Sequence, residues 1–421
     1  MDRLKIYQVL FEQQKEFLEN YNNLIDREVE SEIIKALKTK MPLIIIGVRR
    51  CGKSSLLKLL RNKLNLKEKE FLYINFNDER LTQFEIEDFQ KIIEYMQEQE
   101  YKKDATLFID EIQETLGWEK WIDRIKEKYT VFITGSNSKL LSSEIATILT
   151  GRSITIREYP FSFKEFLNAK KIDAESSHIN TTKQSSIRSA FKEYLEFGGF
   201  PGYVMTGQKI ILSELYENIL YKDILSRFNS RQYKGIKEML QHILSNISKP
   251  ISTRTLSGIS GIKNPGTIKK ILDALEMSFL ISTIQKFDYS IKKQLQSQRK
   301  IYCIDNGLVA MKGFKMSEDN GKLLENIVFI ELKRRGKEIY YYNETNECDF
   351  VIKEGTKIIE AIQSCYYLDT SNKDREIKGL MQAMEKFSLK EGTIITNEQE
   401  ETITIEKKKI SIIPAWKWII N

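Results

Sequence analysis

Four short, continuously apolar runs lie in the first third of the chain, at residues 42–47, 71–76, 105–109 and 129–135. Runs of this length without polar alternation fit strands buried on both faces of a parallel sheet. The segments between them, 53–64, 82–98 and 118–128, read as helices, and two more helices are expected earlier, at 4–20 and 28–37. Strand and helix alternate, which predicts a doubly wound α/β domain with right-handed crossovers. From about residue 155 to 247 the pattern is helical, interrupted by the turn-rich stretch at 194–201. Short helices and then a basic ribbon are predicted over 250–300. Strands return at 300–304, 337–342, 349–352, 357–363, 392–395 and 403–412, with a long helix at 321–335. That predicts a second α/β domain. No repeat at a fixed period is present.

The first apolar run leads into Gly47-Val-Arg-Arg-Cys-Gly-Lys-Ser54, which fits G-x-x-x-x-G-K-[ST]. Its context, a buried strand before and a helix after, is the one the chemistry requires. Glycines let successive N–H groups converge on phosphate, and the helix N-terminus adds partial positive charge. Gly47, Arg50, Cys51, Gly52, Lys53, Ser54 and Ser55 are therefore the expected nucleotide contacts. Lys53 is assigned to the β- and γ-phosphates and the Ser54 hydroxyl to Mg²⁺. The third run ends in Asp110-Glu111. Asp110 is expected to help hold Mg²⁺, and Glu111 to orient the attacking water. The fourth run ends in Thr134, Ser136 and Asn137. One of these senses the γ-phosphate, or Ser136 or Asn137 caps a helix. Arg152 is either a finger reaching a neighbour's nucleotide or a surface arginine. No N-K-x-D guanine motif occurs, so the expected cofactors are ATP and Mg²⁺.

Length and composition change this picture little: 421 residues, 41% apolar and 30% charged, allow two or three ordinary globular domains. The net charge of +7 matters through its distribution. Residues 249–300 carry ten Lys or Arg against three acids, an excess equal to that of the whole chain. Such a stretch is either a solvated face or a polyanion contact. The four cysteines lack C-x-x-C spacing and only His178 and His242 occur, so no zinc site is expected. There is no leader-like start and no apolar run of about 20 residues, so a cytoplasmic protein without membrane contact is expected.

The segments GVRRCGKSS, LFIDEIQE, ITGSNSKLL, LTGR and YPFSFKEFL, in that order, resemble the prokaryotic AAA+ ATPases of the archaeal and bacterial group. Those pair an AAA+ module with a C-terminal domain of unknown function. FKEYLEFGGFP, YKDIL and KIYCIDNGL look like the same group, so the resemblance spans nearly the whole chain. It implies an ATPase that works as a homo-oligomer, with Arg152 acting in trans. Some relatives are grouped with STAND-like signalling ATPases, which implies the alternative of a scaffold whose nucleotide state gates a partner.

Residues 236–300 fit a winged helix, a module that the resemblance also implies. Helices are expected at 236–247 and 252–259, a turn at 261–266, and a recognition helix at 267–276 carrying Lys269 and Lys270. The wing, 280–304, carries Lys292, Lys293, Arg299 and Lys300. These six side chains are the expected DNA contacts, unless the module only packs. Farther on, Glu325, Asp349, Glu360 and Gln363 resemble the PD-(D/E)XK nuclease pattern. Neither register supplies both an acid and a lysine two residues apart, so a retained fold without cleavage is expected. Gln363 with Arg375 and Glu376 then forms a structural polar network. The expected modules are an AAA+ core at 1–155, a helical adaptor at 156–235, a winged helix at 236–300 and a nuclease-like domain at 301–421.

Overall fold

The computed structural model describes residues 1–19, 23–136, 152–173, 181–312 and 320–421. They form two compact units, Met1–Tyr159 with Met277–Phe279, and Pro160–Glu276 with Leu280–Asn421.

In the first unit five strands make one parallel sheet: β1 (Leu43–Ile46), β2 (Phe71–Asn75), β3 (Thr106–Asp110), β4 (Thr130–Gly135) and β5 (Ile154–Arg157). The spatial order is β2-β3-β4-β1-β5. All four residues of β1 and all five of β3 are buried, as unalternating apolar strands require. Helices α1 (Arg3–Leu18), α2 (Glu30–Leu37), α3 (Lys53–Lys63), α4 (Phe89–Glu98) and α5 (Trp118–Ile125) complete this unit. Phe17 of α1 and Leu56, Leu57 and Leu60 of α3 pack on Leu43, Ile45, Tyr73, Phe108 and Phe132 of the sheet. The unit ends at 159/160 rather than at 155/156 for a local reason. β5 completes the sheet, and the Glu158 N–H donates to the Ile46 carbonyl at 2.7 Å.

The second unit opens with helices α6 (Phe163–Ala169), α7 (Thr181–Phe197), α8 (Pro201–Thr206) and α9 (Ile210–Asn218). The Gly198-Gly199 turn between α7 and α8 admits no side chain. A Cβ on Gly198, where φ is +70°, would stand 1.8 Å from Asp305, and one on Gly199 2.2 Å from the Phe161 carbonyl oxygen. Next come α10 (Tyr233–Ser245), β6 (Pro250–Ile251), α11 (Thr253–Ser260), α12 (Pro265–Met277), β7 (Ile281–Ile284), α13 (Ile291–Gln296) and β8 (Arg299–Cys303). β8 is the middle strand of a small antiparallel sheet ordered β6-β8-β7, so a boundary at 300/301 would cut a hydrogen-bonded strand.

After α14 (Asn306–Lys312) and α15 (Asn320–Arg334), a six-stranded mixed sheet is built from β9 (Glu338–Asn343), β10 (Glu347–Glu354), β11 (Lys357–Ser364), β12 (Glu391–Thr396), β13 (Glu401–Ile405) and β14 (Lys408–Pro414). Its order is β13-β14-β12-β11-β10-β9. Helix α16 (Lys373–Lys386) seats Leu380, Ala383 and Met384 in the same core as Val351, Ala361 and Ile394, and α17 (Ala415–Ile420) follows β14. No helix among the described residues is long and apolar enough to cross a membrane.

Candidate functional site: a phosphate loop and an acidic pair

The turn after β1 is built for close backbone approach. A Cβ on Gly47 would lie 2.2 Å from the Glu158 carbonyl oxygen, and Gly52, with φ of 112°, caps α3 in a left-handed conformation. Arg50 also has positive φ, 62°. Arg50, Ser54 and Ser55 are exposed, whereas Cys51 and Lys53 are buried. Burial pushes the Cys51 thiol up to about 11, so it stays protonated and inert. The Lys53 ammonium donates to the carbonyls of Gly47 at 3.1 Å and Val48 at 3.2 Å and lies 3.6 Å from Glu111. Burial pulls its pKa down, but Cys51, Glu111 and Asp110 outweigh burial and hold it above the usual value.

Because β4 lies between β1 and β3, its C-terminal residues separate the loop from the acidic pair. Thr134 uses that position twice. Its hydroxyl donates to Asp110 and accepts from the Glu111 N–H at 3.0 Å. The Tyr73 hydroxyl reaches Asp110 from β2 at 2.8 Å, and the Ser54 hydroxyl bonds the same carboxylate. Burial and the adjacent Glu111 push the Asp110 carboxyl up, against those hydrogen bonds. Glu111 sits in a left-handed conformation, φ 53°, and accepts from the Ser136 N–H at 3.1 Å, the Ser136 hydroxyl at 2.8 Å and the Gln113 amide. Burial would raise its pKa, yet Lys53 and these donors bring it below the usual value. One carboxylate thus stands beside the Ser54 hydroxyl, and a second, ionised one is aimed by Ser136. The first pair of oxygens suits a hard divalent cation, and the chemistry of the set suits Mg²⁺.

The structure brings Gly47, Gly52, Lys53, Ser54, Asp110, Glu111 and Ser136 to the carboxyl ends of the strands, where α/β sheets bind ligands. Asn137 lies outside the described residues. Arg152 is exposed and rests 3.4 Å from Asp123.

Sequence reasoning missed two supports. Arg27, 5% exposed, donates to the carbonyls of Cys51 at 3.1 Å and Tyr159 at 2.7 Å and forms an ion pair with Glu158. It carries no motif, and only the folded chain shows that it braces the loop. Tyr73 could have been found: it is a lone hydroxyl in an apolar strand, and Asn75 of that strand pairs with Asp110.

Two expectations in the second unit are corrected. Lys300 is not a surface contact. In β8 it shares a face with Tyr302, opposite to that of Arg299. Its ammonium lies 3.1 Å from Glu325, 2.6 Å from Glu347 and 3.0 Å from Asp349. Burial lowers its pKa, but Asp349, Glu325, Tyr302 and Glu347 hold it well above the usual value. Glu360 does not join this cluster. Gln363 faces Asp349 and accepts from its N–H at 3.1 Å, so Glu360, an odd number of residues away, points to the other face and pairs with Lys337. The Gln363 amide donates to Glu376 at 2.6 Å, and Arg375 closes the network. Glu325, Glu347, Asp349, Gln363, Arg375 and Glu376 line a cleft of about 410 Å³. Among the described residues no group of three or more His, Cys, Asp and Glu is placed to hold a metal, and in this cluster the Lys300 ammonium occupies the centre. The other five expected DNA contacts, Lys269, Lys270, Lys292, Lys293 and Arg299, are all exposed.

Comparison with known proteins bears on these sites. An AAA domain model matches residues 39–167, and two domains of unknown function, DUF8612 and DUF4143, match 188–318 and 320–418. An uncharacterized protein of Methanocaldococcus jannaschii is 35% identical over 94% of this chain and 91% of its own length. The chain belongs to that protein's family. An uncharacterized Haemophilus influenzae protein in the same range is 33% identical, over 78% of this chain and 83% of its own. The family member described here thus carries an AAA+ ATPase fold in its first unit. Solved structures with a detectable likeness include Aeropyrum pernix Orc1 in complex with DNA, at 11% identity over 71% of this chain and 94% of that one, with a TM-score of 0.31. A Pyrococcus horikoshii STAND protein with a tetratricopeptide repeat sensor is 14% identical over 75% and 46%, with a TM-score of 0.28. Scores this low decide nothing about function.

Proposed function

We propose that this protein hydrolyses ATP and uses the cycle to act on DNA as a homo-oligomer. The observation that carries the first half is the acidic pair. Glu111 is held ionised and aimed by Ser136 and Gln113, 3.6 Å from the Lys53 ammonium. Gly47, Arg50, Cys51, Gly52, Lys53, Ser54 and Ser55 form the phosphate cradle. Ser54 and Asp110 would hold Mg²⁺, which would neutralise phosphate charge when bound. Lys53 leaves the Gly47 and Val48 carbonyls for the β- and γ-phosphates, and Glu111 orients the attacking water. Ser136 positions Glu111, while Thr134 couples Asp110 to Glu111. Arg152 acts in trans on a neighbour's nucleotide.

The DNA half rests on residues 236–300, where α10, β6, α11 and α12 are followed by β7 and β8 joined through the short helix α13, an arrangement that supports a winged-helix reading with α13 in the wing. Lys269 and Lys270 on α12 and Lys292, Lys293 and Arg299 around α13 are exposed, and none is in an ion pair among the described residues. Such side chains displace counterions from phosphate. The remaining region, from about residue 301, is a nuclease-like fold without cleavage, because Lys300 fills the carboxylate centre.

The test is ATP turnover with and without duplex, single-stranded and branched DNA, over a salt series. DNA action predicts stimulation by DNA and affinity that falls steeply with salt. Turnover indifferent to every DNA form, with no salt-dependent binding, would leave a STAND-like scaffold in its place.

A further inference from the structure

The connection between β7 and β8 carries three large apolar side chains in solvent: Tyr289, 72% exposed, Ile291, 72%, and Leu295, 61%. Ile291 and Leu295 are four residues apart on α13 and therefore share a face. They stand among exposed cations, with Lys292 and Lys293 on the same helix turn and Arg299 just beyond. The tip is braced. The Tyr289 ring sits edge-on to Phe287, 5.3 Å between centroids, and Phe287 belongs to the core beneath the mixed sheet. Gln294 of α13 hydrogen-bonds the Tyr340 hydroxyl on β9. Lys269, Leu272, Leu295 and Arg299 line one groove of about 600 Å³, so α12 and this tip look onto the same space.

An apolar tip on a surface is a liability unless something covers it. The charge around it selects the occupant: a polyanion that also offers an apolar interior, which is a nucleic-acid duplex with its stacked bases. We infer that Ile291 and Leu295 form a wedge that enters between base steps of duplex DNA while Lys292, Lys293 and Arg299 hold the flanking phosphates. Apolar wedges of this kind unstack a step and kink the duplex, which bends more phosphate onto the cations. This inference rests on the proposed DNA action and specifies what that action does to the duplex: it distorts it locally.

The experiment uses the full chain and a duplex of about 30 base pairs containing 2-aminopurine, whose fluorescence rises when its base is unstacked. Because Ile291 and Leu295 are exposed, the Ile291→Ser/Leu295→Ser chain is expected to keep its fold and its ATP binding. It should bind duplex roughly 10-fold more weakly at fixed salt, with an unchanged salt slope and no 2-aminopurine rise. The Lys292→Glu/Lys293→Glu chain should instead lower the slope by about two, near one per lost phosphate contact. Wild type that binds the duplex without any fluorescence rise, or an apolar variant that binds and unstacks as wild type does, overturns the wedge and leaves DNA binding standing. Failure of wild type to bind at all overturns both. A drop in oligomer size in the apolar variant, seen by sedimentation with DNA binding intact, would assign the tip to a second copy of the chain.

Discussion

Replacing Arg27 by Met tests the brace under the phosphate loop. The guanidinium is 5% exposed and its partner Glu158 2%, so the substitution takes the Arg27 charge away from a buried carboxylate and removes donors from the Cys51 and Tyr159 carbonyls. Breaking one side of a buried pair costs about 3–5 kcal/mol. A unit of this size shifts by about 2–4 °C per kcal/mol, so its unfolding midpoint should fall by roughly 6–20 °C. Removing both members of the pair, as Arg27→Met/Glu158→Leu, takes the buried carboxylate out together with the guanidinium and should recover more than half of that loss. Calorimetry of the nucleotide-free chain gives the midpoints, and titration with a fluorescent ATP analogue gives the affinity. The affinity is expected to drop in the single variant, because the Cys51 carbonyl no longer pins the loop. A single variant that melts within about 2 °C of wild type, or a double variant as unstable as the single one, would refute the brace.

Glu111→Gln is expected to keep ATP binding and lower turnover by roughly 10²-fold or more, since an amide cannot take the water's proton; near-normal turnover would remove Glu111 from its role. Mixing Arg152→Ala with Lys53→Ala chains should restore part of the turnover each lacks, and verified mixed oligomers without recovery would exclude a finger in trans. Burial pushes Asp305 up from 3.8 to about 7 although Gly199 and Gly307 donate to it. The folded chain therefore binds a proton that the unfolded chain has lost, and stability should fall as pH rises from about 4 to about 7, by up to about 4 kcal/mol. Asp305→Asn should flatten that slope in denaturant titrations. Labelled duplex, single-stranded and branched DNA should survive incubation with Mg²⁺ or Mn²⁺; cleavage abolished by Asp349→Ala would show that the carboxylate cluster works despite Lys300.

Much of the candidate site's local pattern was legible in order along the chain. An unalternating strand, the spacing of Gly47, Gly52 and Lys53, and two acids closing another strand are local features, each set by a few neighbouring residues. The parallel sheet followed from the same alternation. What holds the site together was not local. Thr134 reaches Asp110 because β4 lies beside β3, Tyr73 reaches it from β2 on the other side of β3, and Arg27 bonds the Cys51 carbonyl while it pairs with Glu158 just after β5. Lys300 shows the limit most clearly. Counted along the chain it belongs to a basic ribbon, with the same charge as Arg299 beside it. Strand alternation turns the two apart, and the fold then delivers Glu325, Glu347 and Asp349 to one of them. Charge is a property of the residue, but whether it meets solvent or three carboxylates depends on contacts between strands and helices far apart in sequence. Glu360 failed for the complementary reason: its distance from Asp349 along the chain could not reveal which face of β11 it takes, and pairing with β10 decided that.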